Sequence, residues 1–246
     1  MVHIAADVSL GEDPLTYLPR KSVQEFTRGR IIYSILQPAD KLYLVVLGRV
    51  KVSTRAEDGY ETTARIVCAE GLLGEAVLAG GNPRESAIVL DTTALMCWTR
   101  EEIEQQIARE PRLGIALAQY LVQQCIVLQD RIESMAACKT PERVMMALIQ
   151  LAHTLGAARP DGFTRLAWLT HRIIAEYVGT SRALVTFQMN RLRRQGLIRY
   201  SRRYIDVHLP HLEQALRPQV IHVRQHFEER PHATASQVFR FLSEFS

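Results

Sequence analysis

The chain has no run of eighteen apolar residues, so it predicts no membrane-spanning helix. Its first residues, MVHIAADVSLGEDP, lack the basic start and apolar core of a secretory signal, which points to the cytoplasm. Cysteine is scarce: Cys68, Cys97, Cys125 and Cys138 stand far apart, with no C-x-x-C pair. That spacing offers neither a zinc site nor a c-type haem attachment. Cys97 lies in the apolar run LMCW and reads as a buried small hydrophobe, while Cys125 and Cys138 fall on a predicted helix. A redox-sensing thiol is the alternative reading of these residues. Residues 20–139 contain no histidine. No nucleophile–base pair stands out, so the sequence predicts no enzyme.

What is present is enough for two domains. The 246 residues are 47% hydrophobic and 23% charged, a globular composition. The net charge of +4 hides an asymmetry. Residues 1–139 carry 15 Lys and Arg against 18 Asp and Glu, a net of −3. Residues 140–210 carry 11 Arg against 4 acids, a net of +7, and residues 211–246 are neutral. A basic domain of this kind attracts a phosphate backbone by releasing condensed counterions.

The positive charge coincides with a motif, LTHRIIAEYVGTSRALVTFQMNRLRRQGLI (Leu169–Ile198). Its spacing predicts a helix over about Thr170–Val178, capped by Thr170, with Ile173, Ile174, Ala175 and Val178 on one apolar face. Gly179 supplies a sharp turn. Thr180 or Ser181 then caps a second helix that turns Val185, Met189 and Leu192 inward. Ala175 is small where two steeply crossed helices must approach. The pattern is that of a helix-turn-helix, whose second helix enters the major groove of DNA. Arg182, Thr186 and Asn190 are expected on its free face. An ordinary helical hairpin with a solvated face is the bland alternative.

Elsewhere the order of elements is legible. Residues 1–18 read as poorly structured, broken at Gly11–Pro14. Short strands are predicted at Ile31–Leu36, Lys41–Leu47, Val50–Thr54, Thr62–Val67, Ser86–Leu90 and Ala94–Trp98, a spacing that suggests a roll or jelly roll. A short helix follows at Glu101–Arg109, then a long one over about Arg112–Cys138. Its apolar positions Leu113, Leu117, Leu121, Leu128, Ile132 and Met135 recur at near-heptad spacing, with Gln124 interrupting the seam. Such a helix is expected to pair with a twin, using Leu117, Leu121, Gln124, Leu128, Ile132 and Met135. Thr140 is expected to cap the next helix, with Pro141 at its first position. Phe163–Trp168 is a predicted strand. Leu197–Tyr200 and Tyr204–His208 form a wing with Arg202 and Arg203 at its tip. The tail 211–246 is amphipathic and helical in parts, notably Gln237–Phe245, and either covers an apolar surface or adds to the dimer contact.

Taken together, LYLVVLGRVKV (Leu42–Val52), Gly71, GEAVLAGGNPRESA (Gly74–Ala87) and the winged motif resemble the Crp/Fnr family of bacterial transcription regulators over residues 20–210. The resemblance implies an α+β chain of two domains. These are a β-roll effector domain (20–110), a dimerisation helix (111–138), a winged helix-turn-helix (140–210) and an extension (211–246). It also implies a cytoplasmic homodimer on a palindromic duplex, controlled allosterically by an effector, with RNA polymerase as a candidate further partner. A small-molecule sensor whose winged domain contacts protein instead of DNA is the second reading.

In cyclic-nucleotide-binding relatives the GE…R-S segment holds the ligand. A helix end and an arginine bind the phosphate, and a glutamate binds the ribose. Here Gly74, Glu75 and Arg84 occupy the pattern, but Glu85 stands where Ser or Thr is expected, and Ser86 is shifted by one. A carboxylate beside a phosphate is repulsive, and a one-residue shift sends a strand side chain to the other face. On the long helix, Val127 and Leu128 fall where small hydroxyl residues meet the purine. Cyclic AMP is therefore disfavoured, and a salt bridge within the roll is the preferred role for Glu75 and Arg84. The first cysteine is Cys68, so the N-terminal cluster for an iron–sulfur centre is missing, and a His-ligated haem has no ligand in the roll, although Cys68 or Cys97 remains a candidate. An apolar small molecule, a cyclic dinucleotide at another site, or no effector stay open.

For DNA, the resemblance puts Arg182 against a guanine edge. Ala183 and Phe187 replace residues often Glu and Arg in the family, which predicts a different half-site, with Phe187 against thymine methyls or partly packed. Asn190, Arg191 and Arg194 are expected at phosphates, and Ser181 and Thr170 donate to phosphate near helix N-termini.

Overall fold

The structure is a computed structural model, describing residues 12–216 except positions 38, 57–58, 81–84, 168 and 202–203. Arg84, Arg202, Arg203 and the predicted helix Gln237–Phe245 lie outside the described residues, as does Trp168.

The N-terminal half is a roll of two four-stranded antiparallel sheets. One contains β1 (Gln24–Phe26), β3 (Lys41–Leu47), β6 (Leu72–Leu73) and β8 (Thr93–Thr99); the other contains β2 (Ile31–Tyr33), β4 (Val50–Arg55), β5 (Glu61–Val67) and β7 (Glu85–Val89). The sheets enclose Tyr33, Tyr43, Val45, Val50, Val52, Val67, Leu73, Ala87 and Leu95. β1 and β6 are too short to show a period, and the sequence reading missed both. A second cluster lies under the helices, where Leu18, Leu42, Trp98, Ile103, Leu113 and Leu117 meet. Residues 12–18 are ordered, contrary to expectation: Asp13 caps a 3-10 turn at Pro14–Thr16, Leu18 is buried, and Glu12 pairs with Arg112.

Helix α1 (Arg100–Arg109) starts at a capping box between Thr99 and Glu102, which satisfies two otherwise orphaned backbone donors. Helix α2 (Arg112–Ala137) is 26 residues long and crosses the roll. It does not present one seam. Leu113, Ala116 and Leu117 are buried against the roll, and Gln124 accepts a hydrogen bond from Arg65 at 3.4 Å. Leu117 and Gln124 are therefore engaged by their own chain, a correction to the expected dimer set. Leu121, Leu128, Ile132 and Met135 stay 38%, 47%, 65% and 41% exposed. Gln124 shares the stripe of Leu121 and Leu128, but its side chain is engaged by Arg65 of its own chain.

Cys138 and Lys139 are extended and separate α2 from α3 (Thr140–Leu155). Pro141 lacks the donor that would carry α2 onward. Lys139, not Thr140, takes the N-cap position, and the Glu142 carboxylate accepts from its N–H. The winged domain then builds β9 (Ala157–Ala158), β10 (Thr164–Ala167), α4 (His171–Val178), α5 (Arg182–Arg194), β11 (Ile198–Tyr200) and β12 (Tyr204–Val207). Its core joins Val144, Leu148, Leu151, Leu166, Ile174, Val178, Val185, Met189 and Ile205. The chain stays helical through 209–216, and Leu212 and Leu216 are buried in this core, so the start of the tail covers apolar surface.

The two halves are docked along β5 and α4. Ile66 of β5 belongs to the winged core. Lys51 Nζ reaches both Glu61 and Glu176 at 2.8 Å, with its side chain and that of Glu176 only 8% and 9% exposed. Thr63 donates to Glu176 at 3.3 Å, and Arg172 bonds the other oxygen of Glu176 at 2.8 Å. Burial opposes ionisation of Glu61, but hydrogen bonds from Lys51 and Ser53 outweigh it and hold the carboxyl below its usual range. Arg131 of α2 donates to the carbonyls of Ala64, Thr63 and Tyr177, tying the long helix to both halves.

Candidate nucleic-acid interface

The helix-turn-helix forms as its caps dictate. Thr170 accepts from the Ile173 N–H at 3.2 Å, and Ser181, rather than Thr180, accepts from Leu184 at 3.2 Å. Between them Gly179 has φ +71, and a Cβ there would sit 3.1 Å from the Met135 methyl, so glycine fits on both counts. Ala175 is buried at the crossing. In α5, Val185, Met189 and Leu192 face inward as expected, and so does Gln188, which the apolar pattern could not signal.

The opposite face of α5 is mixed. Arg182, Ala183, Arg191, Arg193 and Arg194 are exposed, and Phe187 is 58% exposed, so it is not packed away. Leu184, absent from the sequence reading, is 48% exposed beside it. Thr186 and Asn190 are only half-exposed, which corrects their expected free projection. Thr186 Oγ1 lies 3.0 Å from His171 Nδ1 and donates to the Arg182 carbonyl at 2.9 Å. Asn190 Oδ1 accepts from the Tyr200 hydroxyl at 2.8 Å. The wing strand thus touches the recognition helix directly, and the Arg193 guanidinium lies 5.3 Å from the Tyr200 ring centroid.

In the roll, Gly74 opens a 3-10 turn at Glu75–Ala79. Its φ is +82, and a Cβ would lie 2.6 Å from the Lys41 carbonyl, so backbone geometry alone requires glycine. Glu75 pairs with Arg65 at 2.5 Å, an ion pair within the roll; Arg84 lies outside the described residues. Burial opposes the Arg65 charge, but the Glu75 hydrogen bond and charge raise its pKa above the ordinary arginine value. Glu85 accepts from Tyr33 at 2.7 Å, and Ser86, on β7, pairs in register with Ser53 of β4. Val127 and Leu128 are 39% and 47% exposed on α2. The cassette glutamate thus holds an internal cation, and a second carboxylate, Glu85, stands on the strand that follows.

Cys97 is half-buried against the roll core rather than fully buried, Cys125 is exposed on α2, and burial raises the pKa of Cys68 and Cys138, which disfavours thiolate. Among the described residues no helix is long and apolar enough to cross a membrane, and no group of three or more His, Cys, Asp and Glu is placed to hold a metal.

A β-roll joined by a long helix to a winged helix-turn-helix with a basic recognition face defines a two-domain transcriptional regulator. Residues 23–110 match the cyclic nucleotide-binding domain family, and residues 142–214 the Crp-like helix-turn-helix domain family. The chain is 28% identical to the global nitrogen regulator of Synechocystis sp. over 191 residues, 76% of this chain and 85% of that protein. It is 32% identical to the transcriptional regulator SdrP of Thermus thermophilus over 162 residues, 66% of this chain and 76% of that protein. The crystal structure of a CRP/FNR-family regulator from Thermus thermophilus superposes with a TM-score of 0.67 at 28% identity, covering 80% of this chain and 98% of that one. The chain belongs to the CRP/FNR family of transcriptional regulators.

Proposed function

We propose that two copies of this chain pair through the outer row of α2 and read a palindromic DNA operator with their two α5 helices. The observation that carries this reading is the row Leu121, Leu128, Ile132 and Met135, each more than a third exposed on a helix that Gln124 and Arg131 anchor to its own chain. A long helix with an uncovered apolar row at heptad-like spacing buries it against a twin, and twofold pairing of two winged domains matches two half-sites a helical turn of DNA apart.

In this reading Arg182 contacts a guanine edge, and Ala183, Thr186 and Phe187 meet neighbouring bases. Thr170, Ser181, Asn190, Arg191, Arg202 and Arg203 are assigned to phosphates or groove edges. The chain has no catalytic step of its own. The roll acts on α2 through an effector other than cyclic AMP, because Arg65 takes up Glu75 and Glu85 adds a second carboxylate to the cassette. Gly74, Ser86, Val127 and Leu128 then serve as wall residues and not as phosphate or base ligands. RNA polymerase is the partner expected once the dimer is on its operator.

Sedimentation of the full chain at micromolar concentration tests the pairing, together with oxidative cross-linking through the exposed Cys125, which lies between Leu121 and Leu128. A cross-linked dimer that Cys125→Ser abolishes, with salt-dependent binding to a selected palindrome, is expected. A monomer that binds no duplex at low ionic strength overturns the reading.

A further inference from the structure

Two side chains from outside the recognition helix touch its open face. His171 opens α4, and Tyr200 ends the first wing strand. Their rings meet edge-to-face at 5.3 Å. Each is bound to a different residue of α5, His171 to Thr186 and Tyr200 to Asn190, one helical turn apart.

The hydrogen-bond inventory then fixes what remains for a ligand. A threonine hydroxyl has one proton, and in Thr186 it goes to the Arg182 carbonyl. The contact with His171 therefore requires an Nδ1–H on the imidazole, which burial and the nearby Arg182 charge keep neutral by lowering its pKa. With its one proton on the Arg182 carbonyl and a lone pair on His171, the Thr186 hydroxyl has no proton for a base, and the methyl is the apolar group left to meet one. In Asn190 the carbonyl oxygen is held by Tyr200, while its NH2 group has no partner among the described residues.

We propose that Tyr200 and His171 are positioning residues that set the base preference of the recognition helix. They leave it an Asn190 amide whose oxygen is turned to Tyr200, so that the NH2 is the half left for a base, and a methyl at Thr186. This rests on the DNA-binding reading above and refines it. An asparagine with both amide halves free pairs bidentately with adenine, accepting from N6 and donating to N7; one whose oxygen is fixed on Tyr200 loses that bidentate geometry and keeps its NH2 for the acceptors of guanine, N7 and O6. The Thr186 methyl, beside Ala183 and Phe187, suits the thymine methyl. Neither preference follows from the order of residues along α5, because both orienting groups come from other elements.

The test is selection of binding sites by the full chain from duplexes with a randomised half-site, followed by competition with single-base variants. The Tyr200→Phe variant keeps the ring and removes the bond to Asn190. It is expected to bind random duplex within about twofold of the parent and to melt at the same temperature. It should lose about tenfold of its guanine-over-adenine discrimination at one base pair per half-site. Thr186→Val keeps the selected motif, whereas Thr186→Ser loses the preference at one thymine. An unchanged motif in Tyr200→Phe, or a uniform loss at every position, overturns the proposal. So does a Thr186→Val variant that loses what Thr186→Ser keeps. A parent protein that selects no sequence at all fails the DNA reading itself, which is a separate result.

Discussion

Charge is handled in opposite ways in the two halves of the molecule. In the roll and along its docking surface, half-buried cations have carboxylate partners: Arg49 with Asp91 at 2.5 Å, Lys51 with Glu61 and Glu176 at 2.8 Å, Arg65 with Glu75 at 2.5 Å. In the winged domain, the ion pairs among the described residues are Arg165–Asp206, Arg172–Glu176, Arg199–Asp161 and His153–Glu213. None of these includes Arg182, Arg191, Arg193 or Arg194 of the recognition helix. Internal pairing neutralises a domain and fixes its geometry. A row of cations left without carboxylates relies mainly on solvent and counterions, so it gains most from an external polyanion. The net charges of −3 and +7 read from the sequence thus correspond to two distinct uses of arginine.

The sharpest way to break this contrast is to separate the two recognition helices. Leu128→Asp with Ile132→Asp places carboxylates on the exposed row of α2 and is expected to give a folded monomer. Its affinity for a palindromic duplex should fall by about 4 kcal/mol or more, the gap between specific and non-specific binding, read by gel shift and sedimentation. An unchanged dimer would show that this row is not the contact.

Next in size is the docking latch. Lys51→Met removes the ammonium shared by Glu61 and Glu176; Arg172 still bonds Glu176, so the loss should fall below the cost of about 3–5 kcal/mol for a buried charge left with no partner. Lower thermal stability and faster proteolysis between the halves are expected. The latch also has an acid limit. The Glu61 carboxyl lies below its unfolded value, so its contribution is complete above that value. It is lost as the pH falls through the depressed native one. A pH titration of the melting temperature should flatten in the Glu61→Gln variant, and an unflattened profile would remove Glu61 from that role.

Smaller effects belong to the recognition surface. Arg182→Ala is expected to lose about 1–3 kcal/mol, concentrated at one base pair of each half-site, in competition with variant duplexes. Arg191→Gln should weaken binding to all sequences alike. It should also reduce the slope of log affinity against log salt by about 1 for each arginine removed. Equal behaviour of the two variants on specific and random DNA would erase the distinction between reading and anchoring.

Much of the architecture was legible along the chain because it rests on local rules. The cap at Thr170, the left-handed Gly179, the inward period of Val185, Met189 and Leu192, and the apolar run in Lys41–Leu47 each act within a few residues. How much of α2 its own chain covers was not legible. Leu117 and Leu121 are the same residue type one turn apart, yet one is 5% exposed and the other 38%. They lie on the same face, and only the roll, which covers the first turns of the helix and not the later ones, distinguishes them. Thr186 and Asn190 were read as free because helical period gives direction and says nothing about a histidine fifteen residues away or a tyrosine on the wing.

The order of amino acids alone settled that a roll, a long helix and a winged helix-turn-helix succeed one another, because caps, turns and apolar periods are short-range. It also settled where positive charge accumulates. The fold decided which charges are spent inside the molecule. Lys51 and Glu176 are 125 residues apart, and no local pattern relates them. Only when β4 and α4 are brought into contact does the low dielectric of the buried seam make their attraction strong. The fold likewise chose Arg65, on β5, as the partner of Glu75 in the turn after β6.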